Sequence, residues 1–188
     1  MPRPKSDDKR NAILDAATRI IATQGLSAPT ALIAKEAGIS TGSLFTYFGT
    51  KTELLNQLYV DLKTEMASTA LAGLPTEKDV RSQMAYLWSG WLQWATSSPD
   101  KRRALAQLSV SDEINQQSRE IGHRAMAGVA ALLERSRGKG AMRAAPLGFV
   151  ANLLNAVADA TVDFIILDPT NADAHQATGF DAMWRMIS

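Results

Sequence analysis

Residues 30–51 read Thr30-Ala31-Leu32-Ile33-Ala34-Lys35-Glu36-Ala37-Gly38-Ile39-Ser40-Thr41-Gly42-Ser43-Leu44-Phe45-Thr46-Tyr47-Phe48-Gly49-Thr50-Lys51. Two short helices separated by a tight turn follow from that string. Thr30 is placed to cap the first, and Leu32, Ile33 and Ala37 give it an inner face. Gly38 supplies the left-handed or otherwise strained backbone that a sharp turn needs. Ile39 anchors the turn, and Ser40 caps a second helix running from Thr41 to about Phe48. Ala34 is small where the two helices must approach. This is the construction of a helix-turn-helix, in which one helix crosses a DNA backbone and the next enters the major groove.

The second helix has a surface suited to that task. Leu44 and Phe48, four residues apart, can face inward together. Thr41, Gly42, Ser43, Phe45, Thr46 and Tyr47 are then left outward or at the rim. Short hydroxyls can bond base edges and phosphates, and Phe45 can pack on a thymine methyl. The unpaired amides at the helix start favour a phosphate oxygen, and Lys51 offers a cation to the same backbone. The same residue types also serve as caps and core, so the argument rests on the whole string rather than on any one member.

Working outward, nearly every other segment has helical period. Upstream, Ile13, Ala17, Ile20 and Ile21 line a helix that Ser6 can cap, with Asp7 and Asp8 in its first turn and Gly25 at its end. Thr50 to Glu53 is a capping box opening a helix lined by Leu54, Leu55, Leu58, Leu62 and Met66. Gly73-Leu74-Pro75 stops it, and a joint is expected inside this long helix, which ends near Leu71. Thr76 can cap a helix carrying Val80, Met84, Leu87, Trp88, Trp91 and Ala95. Ser98-Pro99 marks a stop and a restart. Ser111 to Glu113 opens one long helix through Ile121, Ala125, Val129 and Leu132. Residues 137–145 read as a basic, glycine-bearing loop. Helices at about 146–167 and 171–187 complete an all-α chain of about nine helices.

Composition sets outer limits. The chain has 188 residues, 46% hydrophobic and 21% charged, which suits a folded protein and excludes a disordered or collagen-like one. With no cysteine, a disulfide framework, a cysteine zinc site and a thiol nucleophile are excluded. Residues 1–55 hold seven Lys/Arg against five Asp/Glu, and the remainder thirteen against fourteen, so a mildly basic front precedes a near-neutral body. Arg3, Lys5, Lys9 and Arg10 read either as a solvated terminus or as a basic arm that tracks phosphates. The first dozen residues are polar and charged and do not read as a signal peptide. The most apolar stretch, Leu147 to Leu167, is interrupted by Asn152, Asn155, Asp159 and Asp163, so no membrane span is expected. A cytoplasmic location is the expectation.

The run from Ile33 to Phe48, followed by Lys51 and Glu53-Leu54-Leu55, closely resembles the DNA-binding head of tetracycline-repressor (TetR) family regulators. Ile13-Leu14-Asp15-Ala16-Ala17 and Gly25 also sit where that family's first helix and its end belong. The resemblance covers roughly residues 8–60. It implies a three-helix head over residues 1–52, with the motif at about 30–48, and a helical effector-binding and dimerisation domain over 53–188. By position it implies DNA contact by Thr30, Ser40, Thr41, Gly42, Ser43, Phe45, Thr46, Tyr47 and Lys51. Phe45 stands where the family often has tyrosine, and Ala31 where a longer side chain is frequent. The implied function is a ligand-responsive regulator, a repressor, that binds a palindromic operator as a homodimer and needs no cofactor.

The resemblance further implies pairing of two copies through the last two long helices, with Phe180, Met183, Trp184 and Ile187 presented by the terminal one. It also implies a small-molecule site in the body. Candidates are Met84, Trp88, Trp91 and His123, with a polar stripe of Asn152, Asn155 and Asp159 facing them; aromatic walls with a few polar groups suit such a site. The rival reading is a metal or oxygen-activating enzyme using Glu120 and His123, an Glu-x-x-His pair. Such bundles need a second copy of that element, and His175 has Ala172 three positions before it.

Overall fold

A computed structural model describes residues 5–138 and 140–188, with side chains from residue 7 onward. Arg3 and the side chains of Lys5 and Ser6, which enter the basic-arm and capping expectations, lie outside the described residues. Among the described residues the chain forms ten α-helices and one short 3-10 turn, with no strand. They are α1 Lys5–Gln24, α2 Thr30–Glu36, α3 Thr41–Tyr47, α4 Lys51–Leu71, α5 Val80–Ser97, α6 Pro99–Ser109, α7 Gln116–Ala125, α8 Ala127–Ser136, α9 Leu147–Leu167 and α10 Ala172–Ile187, with the 3-10 turn at Pro169–Asn171. Residues up to 64 with 98–123 form one compact unit, and 65–97 with 124–188 form another. The division falls inside α4.

The first unit is built on α1 and the start of α4. Ile13, Ile21, Ile33, Leu44, Leu54, Leu55 and Leu58 are fully buried together with Leu108 of α6. Helix α6 lies along α1, and the Gln107 side-chain amide donates to the Ile21 carbonyl at 3.0 Å. The same carbonyl also accepts from the Gly25 amide at 3.0 Å, where α1 ends with Gly25 at φ +83°.

A polar cluster ties the loop between α6 and α7 to α4. Asn56 is buried. Its amide donates to the carbonyls of Thr52 and Glu113, both at 2.7 Å. Its oxygen accepts from the Asn115 backbone at 2.9 Å. The Thr52 hydroxyl donates to the Glu113 carboxylate at 2.6 Å. Arg119 holds the same loop from the other side, through the carbonyls of Ser109, Ser111 and Ile114.

In the second unit, α5 packs against α8, α9 and α10, and α9 pairs with α10. A Cβ added at Gly179 would collide with the Thr161 hydroxyl and approach the Trp88 ring to 2.9 Å, so glycine is what lets α10 come this close. The Trp88 indole donates to the Gln176 carbonyl at 3.0 Å. Arg137 is buried and ties down residues 142–145: it donates to the carbonyls of Met142, Arg143 and Ala145 and pairs with Glu134 at 2.7 Å.

Several local expectations need correction. Pro29, not Thr30, precedes α2, and no side chain caps that helix. Asp79, not Thr76, caps α5: its carboxylate accepts from the Ser82 backbone at 3.0 Å and the Ser82 hydroxyl at 2.7 Å. The Asp carboxylate lies nearer the first apolar turn and is the stronger acceptor. The single long helix expected from Ser111 is two helices, α7 and α8, separated at Met126. Asn115 opens α7 by accepting from the Ser118 backbone at 2.8 Å. Phe180, Met183 and Ile187 of α10 are buried in their own unit rather than presented outward.

The Asn56 cluster generates a stability prediction. Asn56→Ala strands the Asn115 amide and the Glu113 carbonyl without their partner, and should cost about 1–3 kcal/mol in urea unfolding. A loss below half a kcal/mol, by the same mutational yardstick, would show the cluster to be dispensable.

Candidate nucleic-acid interface

The turn between α2 and α3 is fixed by backbone bonds before any side chain contributes. The Gly38 amide donates to the Lys35 carbonyl at 3.1 Å and the Ile39 amide to the Ala34 carbonyl at 3.0 Å. Gly38 sits at φ +70°. This is the Schellman pattern, in which a left-handed residue closes the helix end. Ser40 then caps α3 by accepting from the Ser43 amide at 3.1 Å. Its hydroxyl donates to Ser43 Oγ at 3.0 Å.

Two side chains orient α3. Leu44 is 0% exposed and Phe48 is 2% exposed. Phe48 is also covered by the Arg10 guanidinium, 5.5 Å from its ring centre. With these two inward, Gly42, Ser43, Phe45 and Thr46 are exposed, and Thr41 and Tyr47 are half-buried at the edges. Phe45 is 40% exposed, a large ring left in water on a seven-residue helix. A Cβ at Gly42 would meet only Ser40 Oγ, at 3.9 Å, so nothing inside the protein requires glycine there. The Thr46 hydroxyl bonds back to the Gly42 carbonyl at 3.2 Å, leaving its methyl and an oxygen lone pair outward.

The start of α4 is bonded to the same motif. Lys51 Nζ donates to the Ala28 carbonyl at 2.8 Å. An ammonium has three donors, so this bond leaves others for a phosphate. The Thr50 hydroxyl accepts from the Glu53 amide at 3.0 Å as expected. Glu53, however, reaches past Thr50 to the Gly49 amide at 3.0 Å. Arg19 and Glu36 pair α1 with α2 at 2.8 Å on the surface. Arg10 belongs to the head itself, over Phe48 and 3.9 Å from Asp61, and not to a loose arm. Sequence reasoning missed this placement, although Arg10 lies one turn before the apolar stripe of α1.

Residues 13–58 match a family model described as "Bacterial regulatory proteins, tetR family". A solved tetR-family structure from Shewanella sp. PV-4 is 27% identical, with a TM-score of 0.82 over 94% of this chain and 96% of that one. Residues 13–58 are thus similar to the tetR-family domain, and the whole chain shares the fold of that solved tetR-family structure. The family that matches residues 13–58 is one of regulatory proteins, not of enzymes. The HTH-type transcriptional regulator YhgD of Bacillus subtilis (strain 168) is 31% identical over 137 residues, 70% of this chain and 64% of YhgD. The chain therefore spans less than two thirds of that relative's length. Two structures sharing the fold are complexes. LfrR of Mycobacterium smegmatis holds proflavine (18% identity, TM-score 0.69, 96% of this chain and 97% of that one). FadR of Bacillus subtilis holds stearoyl-CoA (17%, 0.67, 95% and 97%).

The other candidates are divided between the two units. Met84 and Trp88 are buried on α5, and Trp91 is half-buried. The Trp94 indole, also buried, donates to the Glu65 carboxylate at 3.1 Å. Asn152 and Asn155 are exposed on α9, contrary to a stripe that faces inward, and Asp159 is half-buried. His123 is exposed and belongs to the first unit, whereas the tryptophans belong to the second. Glu120 is also exposed and accepts from the Gln116 amide at 2.9 Å. Among the described residues no three His, Asp or Glu side chains converge as a metal site would require.

The cap and the turn can be tested apart from any ligand. Ser40→Ala should destabilise the head by about 1 kcal/mol, read as faster amide exchange in α3. Gly38→Ala should cost roughly 1–2 kcal/mol, because an added Cβ is strained at that positive φ. Unchanged exchange in both variants would contradict the account of how α3 is held.

Proposed function

We propose that this chain is a ligand-responsive transcriptional repressor of the TetR family, acting as a homodimer in the cytoplasm on a palindromic duplex operator. The observation that carries the reading is the exposed side of α3. Gly42, Ser43, Phe45 and Thr46 are turned to solvent by the burial of Leu44 and Phe48. Thr30, Ser40, Thr41, Tyr47 and Lys51 are proposed to flank them on the DNA. Phosphate contacts supply affinity and base-edge contacts supply sequence preference.

Pairing of two copies is supported by α9. Phe149, Ala156, Ala160 and Leu167 recur at helical spacings of seven, four and seven, and all are exposed. Phe149 is 55% and Leu167 79% exposed. Small residues between two large apolar ones let a second helix cross closely, and leaving the large ones in water is unfavourable. Helix α10 offers Ala174, Ala177, Thr178 and Ala182 outward, small enough to join a four-helix contact. Helix α9 is also long and apolar enough by length and composition to cross a membrane; pairing of copies accounts for the same apolar surface. A dimer presents two α3 helices, as needed to read two half-sites roughly 34–36 Å apart.

The effector is proposed to bind in the second unit near Met84, Trp88 and Trp91, and to act by moving α4, so that the two heads no longer match their half-sites. Complexes of LfrR with proflavine and FadR with stearoyl-CoA support a ligand-holding body for this fold.

Selection of bound sites from random duplexes should return a palindrome, and affinity should fall steeply with salt. Lys51→Ala should weaken binding to all sequences alike. Ser43→Ala should relax preference at particular bases by about 1–3 kcal/mol. Sequence-blind selection, or Lys51→Ala and Ser43→Ala variants that bind as the parent does, would overturn the assignment. Separately, the double change Phe149→Asp, Leu167→Asp should yield a monomer in sedimentation with helicity unchanged. A dimer that survives it would remove α9 from the interface.

A further inference from the structure

Lys63 lies two turns before the end of α4, at the place where α7 crosses that helix. The crossing is tight at Gly122, which is buried. A Cβ there would come within 3.0 Å of Tyr59 Cε1, 3.3 Å of the Tyr59 hydroxyl and 3.3 Å of Lys63 Cγ. The stem of Lys63 is thus held between an aromatic ring and a neighbouring backbone, with its ammonium 6.0 Å from the centre of the Tyr59 ring. A lysine on a free surface has no such confinement.

The carboxylates on the two helices are engaged elsewhere. Asp61 lies 3.9 Å from Arg10 and accepts from the Gln57 amide at 2.8 Å. Glu65 accepts from the Trp94 indole. Glu120 accepts from Gln116. The remaining charged or titratable groups on α7 are Arg119, His123 and Arg124, none of which supplies a negative charge. Among the described residues, Lys63 makes no ion pair. Burial holds its ammonium below the usual lysine range. Tyr59 is buried beside it, and burial pushes its phenol above the usual range while Arg119 pulls in the opposite direction. The phenol therefore stays protonated and can donate.

A positioned cation without a counter-charge, beside a neutral hydroxyl donor, has the composition of an anion site. We propose that Lys63 and Tyr59 form a binding point for a small anionic group, a carboxylate or a phosphate, at the crossing of α4 and α7. The cation costs free energy while unpaired, and an anion offsets that cost. Occupancy would also fasten α7 to α4, whose first turn is bonded to the motif through Lys51–Ala28 and Glu53–Gly49. The site lies within the first unit.

The test is an NMR titration of the full chain labelled with carbon-13 at the lysine ε positions. The Lys63 resonance is identified by its loss in Lys63→Arg, or by its contact with Tyr59 ring protons if that variant does not fold. Sodium acetate and inorganic phosphate are added in separate arms, with sodium chloride matched in ionic strength. The expected result is a saturable shift of Lys63 and a rise of about one unit in its titration midpoint, a tenfold preference of the anion for the charged form. The exposed Lys35 and Lys78 should not follow, and Tyr59→Phe should weaken the response. A response to acetate alone assigns a carboxylate, to phosphate alone a phosphate, and to both a general anion site. Lys63 moving no more than Lys35 and Lys78, or moving equally with chloride, would overturn the proposal. No DNA is present, so either outcome leaves the regulator reading to its own experiment.

Discussion

Seven residues cannot hold a helix in water, because the nucleation cost exceeds what so few bonds return. Helix α3 exists in this protein because Leu44 and Phe48 are sealed into the core formed by α1, α2 and the start of α4. That burial is the constraint on which the rest depends. It fixes the rotation of α3 about its axis, and the rotation decides that Gly42, Ser43, Phe45 and Thr46 meet solvent. The Gly38 turn and the Ser40 cap set where the helix begins, but neither could choose its face.

The same logic extends into α4. Its first turn is bonded to the motif through Lys51 and Glu53 and to the α6–α7 loop through Thr52 and Asn56. These bonds all fall within a stretch of only six residues. A displacement of that loop must therefore either carry the start of α4 with it or break a buried hydrogen-bonded cluster, at a cost comparable to a large mutational effect.

Much of this was legible in the sequence because it is local. Gly38, Ser40, Leu44 and Phe48 act over three to five residues, and the 3.6-residue period exposes their roles. The Ser98-Pro99 restart is of the same kind. What escaped depends on partners far along the chain. Asn56 reads as an ordinary polar residue on α4, since its partners, Glu113 and Asn115, are 57 and 59 residues away. Arg137 reads as one more charge in a basic loop until its guanidinium is seen holding three carbonyls. Phe180, Met183 and Ile187 show an apolar face but not whether the chain's own core or a second copy covers it. The break at Met126 carries no proline or obvious cap, so periodicity alone runs α7 into α8.

The central claim is that the outward side of α3 is the surface that meets a duplex. Backbone amide NMR of the labelled chain, with and without a selected duplex, tests it most directly. The account predicts the largest shifts across residues 41–47 and at Lys51, with Leu44 and Phe48 side chains still buried. Binding that leaves those amides unmoved and perturbs another helix instead would contradict it.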